Sequence, residues 1–350
     1  MLTVNDSLLL RAARGESTER PPLWLMRQAG RCDPAYRELR ASSKLHLEEL
    51  FRHPELAARI SLLPARWGVD GLIIFQDILS PLAPMGAPFI FRPGPQLERP
   101  SITLDRLRAL RPFDMAAHMS HIAAIYRGIA SQAGASMPLI GFAGAPLTLL
   151  AFLTEEGSPA VGMPRLRRLL SEHPQESRDI LDTLAKMTVD YLQYQIDCGA
   201  HLVQLFESCA YELTRQEYCD FALPAQQYVF NALKGKVPTI AFARLADRPG
   251  QIEDMASSGA DILSIPGDKT IAEARAILGA HAPIQGNFDN RLLVSGPLDA
   301  IAAAAKECIE GGQCTGHIFN LNHGVLPDTP FEHVNYLVDY IRAYTKSSQP

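Results

Sequence analysis

Eight short apolar runs, alternating with longer stretches of helical periodicity, constrain this chain more than any other feature. The runs are Leu23–Met26, Gly71–Phe75, Pro138–Phe142, Leu202–Phe206, Thr239–Phe242, Ile262–Ile265, Pro283–Gly286 and His317–Leu321. None alternates cleanly between polar and apolar residues, as expected of strands covered on both faces. The helical patterns cover His46–Trp67, Leu104–Ala133, Arg165–Cys198, Arg215–Lys234, Gln251–Ser258, Ile271–Leu278, Asp299–Glu310 and Phe331–Tyr344. Strand–helix alternation implies a parallel sheet with crossover helices, and eight such units imply closure into a (β/α)8 TIM barrel. No linker, repeat or low-complexity run divides the chain, so residues 1–350 are expected to form a single barrel domain. The longest connection, Leu79 to about Ile102, is rich in proline and glycine and is expected to be an elaborated loop with a small hairpin.

The formal net charge of −5 offers no general attraction to nucleic acid or to anionic membranes. Locally the balance differs: from Arg20 to Arg40 there are five arginines, no lysine, and only Asp33 and Glu38 as acids. Six cysteines lie scattered without CxxC spacing, which fits a reducing compartment better than a disulfide scaffold. The N-terminal segment lacks the pattern of a signal peptide, and no apolar window is long enough to span a bilayer. A cytoplasmic location is the expectation.

A barrel of this kind carries its active site at the C-terminal ends of its strands. Arg27-Gln28-Ala29-Gly30-Arg31 follow the first run, Gln76 and Asp77 the second, and Ala143–Pro146 the third. Glu207 and Ser208 end the fourth, Arg244 follows the fifth, and Gly267 and Asp268 the sixth. Asn287 and Asp289 follow the seventh, and Asn320, His323 and Gly324 the eighth. Several arginines at one mouth suit a ligand with several carboxylates, because guanidinium pairs with carboxylate in a bidentate, charge-assisted way. A carboxylate among them can accept hydrogen bonds from ligand N–H groups or stabilise a developing cation. A histidine adds a group able to change charge near neutral pH.

Each candidate has a plainer reading. Arg27 and Arg31 can be surface ion-pair partners, Asp77 a cap for the segment after it, and His323 a turn residue. Ser208 lies in ESCAYE, which lacks the glycines of a nucleophile elbow. Glu207 and Asp289 can be buried partners of barrel arginines, and Cys32 and Cys209 small packing residues.

At these same positions the chain resembles the uroporphyrinogen decarboxylase family along nearly its whole length. PLWLMRQAGRCDPAYRELR, IIFQDIL, GFAGAPLTLLAFLTEEG, QLFES, IQGNFD and HIFNLNHGVLPDTP occur in order, each at an expected strand end. The resemblance implies a barrel enzyme that decarboxylates the acetate arms of uroporphyrinogen III without any cofactor or metal, commonly as a homodimer. It implies that Arg27, Gln28, Ala29, Gly30 and Arg31 bind substrate and that Asp77 accepts hydrogen bonds from the pyrroles. Phe152, Ser208 and His323 would complete the binding site, with Asp77 and Arg27 as the catalytic candidates.

The chain departs from the family pattern at several places. Phe152 stands where tyrosine is usual, removing a hydroxyl expected to bond the central aspartate. Gln76 replaces a serine beside Asp77, and its amide is a candidate to supply that bond. Cys32, Ala83, Tyr211 and Asn322 are further departures. Two rival readings follow: a zinc-dependent corrinoid methyltransferase of the same barrel superfamily, whose usual His-x-Cys pair is missing here, and a non-catalytic tetrapyrrole binder.

Overall fold

The computed structural model describes residues 3–134, 136–159, 161–245 and 249–344. Seven parallel strands form one sheet: β1 (Leu72–Ile73), β4 (Leu139–Gly144), β5 (Leu202–Glu207), β6 (Thr239–Ala243), β7 (Ile262–Ser264), β8 (Ile284–Gln285) and β9 (His317–Ile318), adjacent in that order. Helices connect successive strands. Every residue of β4 and β6 is buried, which is why these runs are apolar on both faces. The expected hairpin is present as β2 (Phe89–Phe91) paired antiparallel with β3 (Pro95–Leu97).

The sheet is curled. Gln204 on β5 accepts a hydrogen bond from the Gln285 amide on β8 at 2.8 Å, although β6 and β7 lie between them in the sheet. The Trp24 indole N–H donates to Gln285 Oε1 at 3.0 Å, and the Gln285 amide also reaches Ser264 Oγ at 3.3 Å. A fully buried polar belt therefore crosses the concave interior with its members paired to one another, as buried amides require.

The run Leu23–Met26 is not a regular strand. It makes one parallel bridge, Leu23 to Phe319, and Leu23 O accepts from Asp70 N at 2.7 Å. The cause is local. Pro21 and Pro22 lack N–H groups, Leu25 N donates to Gln28 Oε1, and Met26 N donates to Asn320 Oδ1. Side-chain acceptors have taken the donors that a ladder needs.

Several expected helices are broken at prolines. The stretch His46–Trp67 divides into Leu47–Arg52 and Pro54–Leu62, and Arg165–Cys198 into Pro164–Glu172 and Pro174–Asp197. In each case proline occupies the first turn of the second helix, where its missing N–H costs nothing. Helices Pro34–Ser43 and Pro146–Thr154 were not foreseen. The second is buried almost throughout, so it has no polar face to reveal it by periodicity.

Candidate active site

The C-terminal ends of β1, β4, β5 and β6 open into a cavity of about 480 Å³, closed on one side by the β2–β3 hairpin. Its floor is aromatic. Phe142 and Phe206 meet edge to face with ring centroids 5.6 Å apart, Phe206 and Phe242 lie 5.4 Å apart, and Phe242 reaches the His323 ring at 5.8 Å. Each phenylalanine belongs to a strand, so the arc is fixed by the sheet itself. A flat or saddle-shaped apolar ligand would find a rigid surface here.

Asp77 lies at the wall of this cavity, after β1. The β1 strand is short because Phe75 N bonds the Ser61 hydroxyl at 2.8 Å instead of a neighbouring strand, which frees the chain to turn. Asp77 Oδ1 accepts from Leu79 N at 2.5 Å and from Ser80 N at 2.8 Å, and Oδ2 accepts from the Ser80 hydroxyl. Asp77 thus caps the following turn and faces the cavity as well. Burial pushes its carboxyl above the ordinary value, and these hydrogen bonds together with the Arg52 charge hold it down only in part. Gln76 does not reach it. The Gln76 amide donates to Phe51 O, so the hydroxyl expected from elsewhere is supplied by Ser80.

Arg27 and Arg31 face the same cavity. Neither side chain pairs with a carboxylate among the described residues, which overrules the ion-pair reading. Arg27 has a left-handed backbone, φ 62°, that aims its side chain inward, and Gly324 leaves room for its aliphatic stem. A Cβ at position 324 would lie 2.7 Å from Arg27 Cγ. Gly30 is similarly constrained, because a Cβ there would meet Arg27 O at 2.8 Å. Burial, and then the charges of Arg31 and Arg244, pull the Arg27 pKa below its ordinary value.

His323 lines the cavity but is not poised to titrate near neutrality. Burial, assisted by Arg27 and Arg244, lowers its pKa to about 4, so the apo protein carries a neutral imidazole. Phe152 stands on the wall against Phe89, with centroids 6.4 Å apart, and Ala29 and Ser208 also line the space. The Ser208 backbone N–H is anchored on Thr148 Oγ1 at 2.8 Å. Gln28 differs from the other candidates. It is fully buried, accepts from Leu25 N and donates to Gly71 O at 3.1 Å, so it staples the arginine loop from behind. Glu207 is also no arginine partner: it bonds Thr148 and Gln226, and burial raises its pKa to about 7. Asp289 pairs with Arg291 at 2.9 Å, but that pair is exposed, so the expected buried pairing is not what the structure has.

Two asparagines hold the site together, Asn320 from the strand-end residues and Asn290, which was not among them. Asn320 fixes Met26 N, Val325 N donates to Met26 O at 2.8 Å, and the Asn290 amide donates to Gly324 O at 2.8 Å. These bonds tie the arginine loop to the His323 loop. The asparagines were visible in the sequence just beyond the strand ends, although their targets are backbone groups that no sequence pattern names. Among the described residues no three His, Cys, Asp or Glu side chains converge to hold a metal ion, and no helix is long and apolar enough to cross a membrane.

The sequence model for uroporphyrinogen decarboxylase (URO-D) matches residues 4–344. The chain belongs to the uroporphyrinogen decarboxylase family. Relatives named uroporphyrinogen decarboxylase include one from Thermosynechococcus vestitus, 39% identical over 96% of this chain and 98% of its own length. Another, from Thermus thermophilus, is 38% identical over 97% and 98%. Among solved structures, a methyltransferase from Methanosarcina mazei superposes with a TM-score of 0.80 at 20% identity, covering 98% of this chain and 99% of that one. A B12-independent methionine synthase from Shewanella gives a TM-score of 0.56 at 12% identity, covering 94% and 97%. At such identities these two likenesses speak for the fold alone. Asp77, Arg27 and Arg31 line the same aromatic-floored cavity.

Proposed function

We propose that this protein is a uroporphyrinogen decarboxylase, a carboxy-lyase that converts the four acetate arms of uroporphyrinogen III to methyl groups, giving coproporphyrinogen III for tetrapyrrole synthesis. The observation that carries the reading at the level of chemistry is one cavity holding a carboxylate, Asp77, together with two guanidinium groups that have no carboxylate partner among the described residues, Arg27 and Arg31. Asp77 has used three of its roughly four acceptor positions on its own turn, leaving about one for a pyrrole N–H donor. The arginines, with Ser208 and a neutral His323, would take arm carboxylates.

The chemistry asks nothing of a cofactor. A pyrrole of the unconjugated macrocycle is electron-rich and accepts a proton on ring carbon. The C–C bond to the acetate carboxylate then breaks, its electron pair flows into the cationic ring, and carbon dioxide leaves. Protonation of the resulting exocyclic methylene and loss of the first ring proton restore the pyrrole, so each turnover consumes one proton net and leaves a methyl group. Asp77 would oppose the positive charge of the protonated ring from a site where burial strengthens the interaction. Arg27 is our candidate for delivering the proton: burial first, and then its neighbours Arg31 and Arg244, weaken its hold on it.

The same reading takes the Leu23 segment, bridged to Phe319 on one side and bonded to Asp70 on the other, as the eighth stave of a single barrel domain spanning the chain. Cytoplasmic residence and a homodimer belong to it as well, the former supported by reduced thiols at Cys32, Cys198, Cys209, Cys219 and Cys308. The test is anaerobic incubation of purified protein with uroporphyrinogen III, oxidation of the products, and separation by carboxyl number. Stepwise passage from eight carboxyls to four is expected. Return of only the eight-carboxyl species from well-folded protein would sink the assignment.

A further inference from the structure

We infer that Arg244 and the cavity beside it form a second carboxylate-binding subsite, which receives a side arm of the same tetrapyrrole and makes Arg244 a specificity-determining residue for highly carboxylated substrates. The inference rests on the decarboxylase reading. Arg244 follows the last residue of β6, and its backbone N–H donates to Glu207 O at 2.9 Å, so its position is set by the sheet. Its guanidinium carbon lies 4.4 Å from the centre of the Tyr211 ring. Stacking of this kind fixes the plane of the group while leaving its N–H edge open.

The space beside it measures about 540 Å³ and is lined by Tyr211, Arg244, Ser264, Asn290, Asn322 and His323, among others. Phe242 and His323 also line the aromatic-floored cavity, so the two spaces adjoin across that pair. The charge of Arg244 is felt on the other side: it weakens proton binding at both Arg27 and His323.

Among the described residues, the nearby acids do not neutralise Arg244. Asp268, which also lines this space, pairs with Lys269 at 3.4 Å, Asp289 pairs with Arg291, and the Glu207 carboxyl turns inward to Thr148 and Gln226. Among the described residues Arg244 has an aromatic platform and no anion. A cation held in place, beside a polar space, and adjoining a site that already presents two uncompensated arginines, matches a ligand with carboxylates all round its edge. Arg27 and Arg31 would grip arms on one side of the macrocycle, and Arg244 an arm projecting past His323.

The experiment compares wild type, Arg244→Gln and Arg244→Lys by anaerobic initial rates on uroporphyrinogen III, with thermal melting as the fold control. Loss of one charge-assisted contact predicts that Arg244→Gln raises KM by about 10- to 100-fold while kcat stays within about threefold. Arg244→Lys, keeping the charge, should recover most of the KM, and the wild-type KM should respond to added salt more steeply than that of Arg244→Gln. Should Arg244→Gln fold poorly, Tyr211→Leu removes only the platform and should raise KM by roughly two- to fivefold. An active wild type with Arg244→Gln and Tyr211→Leu unchanged in KM, or altered only in kcat, overturns the subsite and leaves the decarboxylase standing. An inactive wild type overturns both.

Discussion

Replacing Asp77 with asparagine separates its two jobs. Asparagine keeps Oδ1, so the bonds from Leu79 N and Ser80 N can persist, and the Ser80 hydroxyl can rotate to accept from the new amide. The charge is lost. If that charge stabilises the protonated pyrrole, the rate should fall by about 10²- to 10³-fold, the usual effect of removing one preorganised group worth roughly 2.7–4 kcal/mol. Stability should move the other way. Because burial raises the folded-state pKa of Asp77, the ionised carboxylate is a cost to the fold at neutral pH, and a neutral isostere relieves it. Asp77→Asn should therefore melt at or above wild type. Asp77→Ala should melt lower, since two backbone N–H groups lose their acceptor at about 1–3 kcal/mol each when buried. The assay is carboxyl-number analysis of anaerobic single turnovers beside calorimetry of the same preparations. If Asp77→Asn keeps more than about a tenth of wild-type turnover, the electrostatic argument is wrong; if it melts as low as Asp77→Ala, the capping argument is.

Ser80→Ala removes a bond that lowers the Asp77 pKa, so the acid limb of kcat/KM should move to higher pH, by about one to two units if the bond is worth what bonds to charged groups usually are. Gly324→Ala should push the Arg27 side chain aside and raise KM for uroporphyrinogen by about tenfold or more with little change in melting, read by steady-state kinetics. Glu207 has a folded pKa of about 7, above its unfolded value, so its contribution to stability is complete below pH 4.5 and lost as pH rises through 7. Wild-type melting should fall across that window more steeply than that of Glu207→Gln. For His323, depressed to about 4, the direction is reversed: stability is lost as pH falls below about 6.5 toward 4, and His323→Gln should flatten the acid side of the melting profile.

The strands at Pro138, Leu202, Thr239 and Ile262 were legible because burial on both faces leaves an apolar run that few other structures produce. Leu23–Met26 looked the same and is not a strand, because Gln28 and Asn320 take its donors, and those acceptors are distant or unremarkable in sequence. Arg27, Ala29, Gly30, Arg31, Asp77, Ser208 and His323 stood out as strand-end residues, Phe152 only through the family resemblance, and all of these line one cavity. Gln28 shows the limit of that method: a residue in the right loop can point away from the site. Ser80 escaped notice because it sits in a turn whose direction is set by Asp77, and the depressed pKa of His323 comes first from burial and then from Arg27 and Arg244, none of which its own sequence context shows.

The interlock between the Arg27 loop and residues 320–325 has a consequence for how the protein is made. Arg27 leaves the ribosome well before Gly324, yet its stem rests in the gap at Gly324, and its neighbour Met26 is bonded on both sides by Asn320 and Val325. Until the last strand has been synthesised, the loop has no mould in which to set. A nascent or truncated chain lacking those residues can collapse around β4, β5 and β6, but it cannot display the arginines in order. Competence for the ligand thus arrives in one step once residues 320–325 have been made, and contacts of such long sequence separation make that step a slow one.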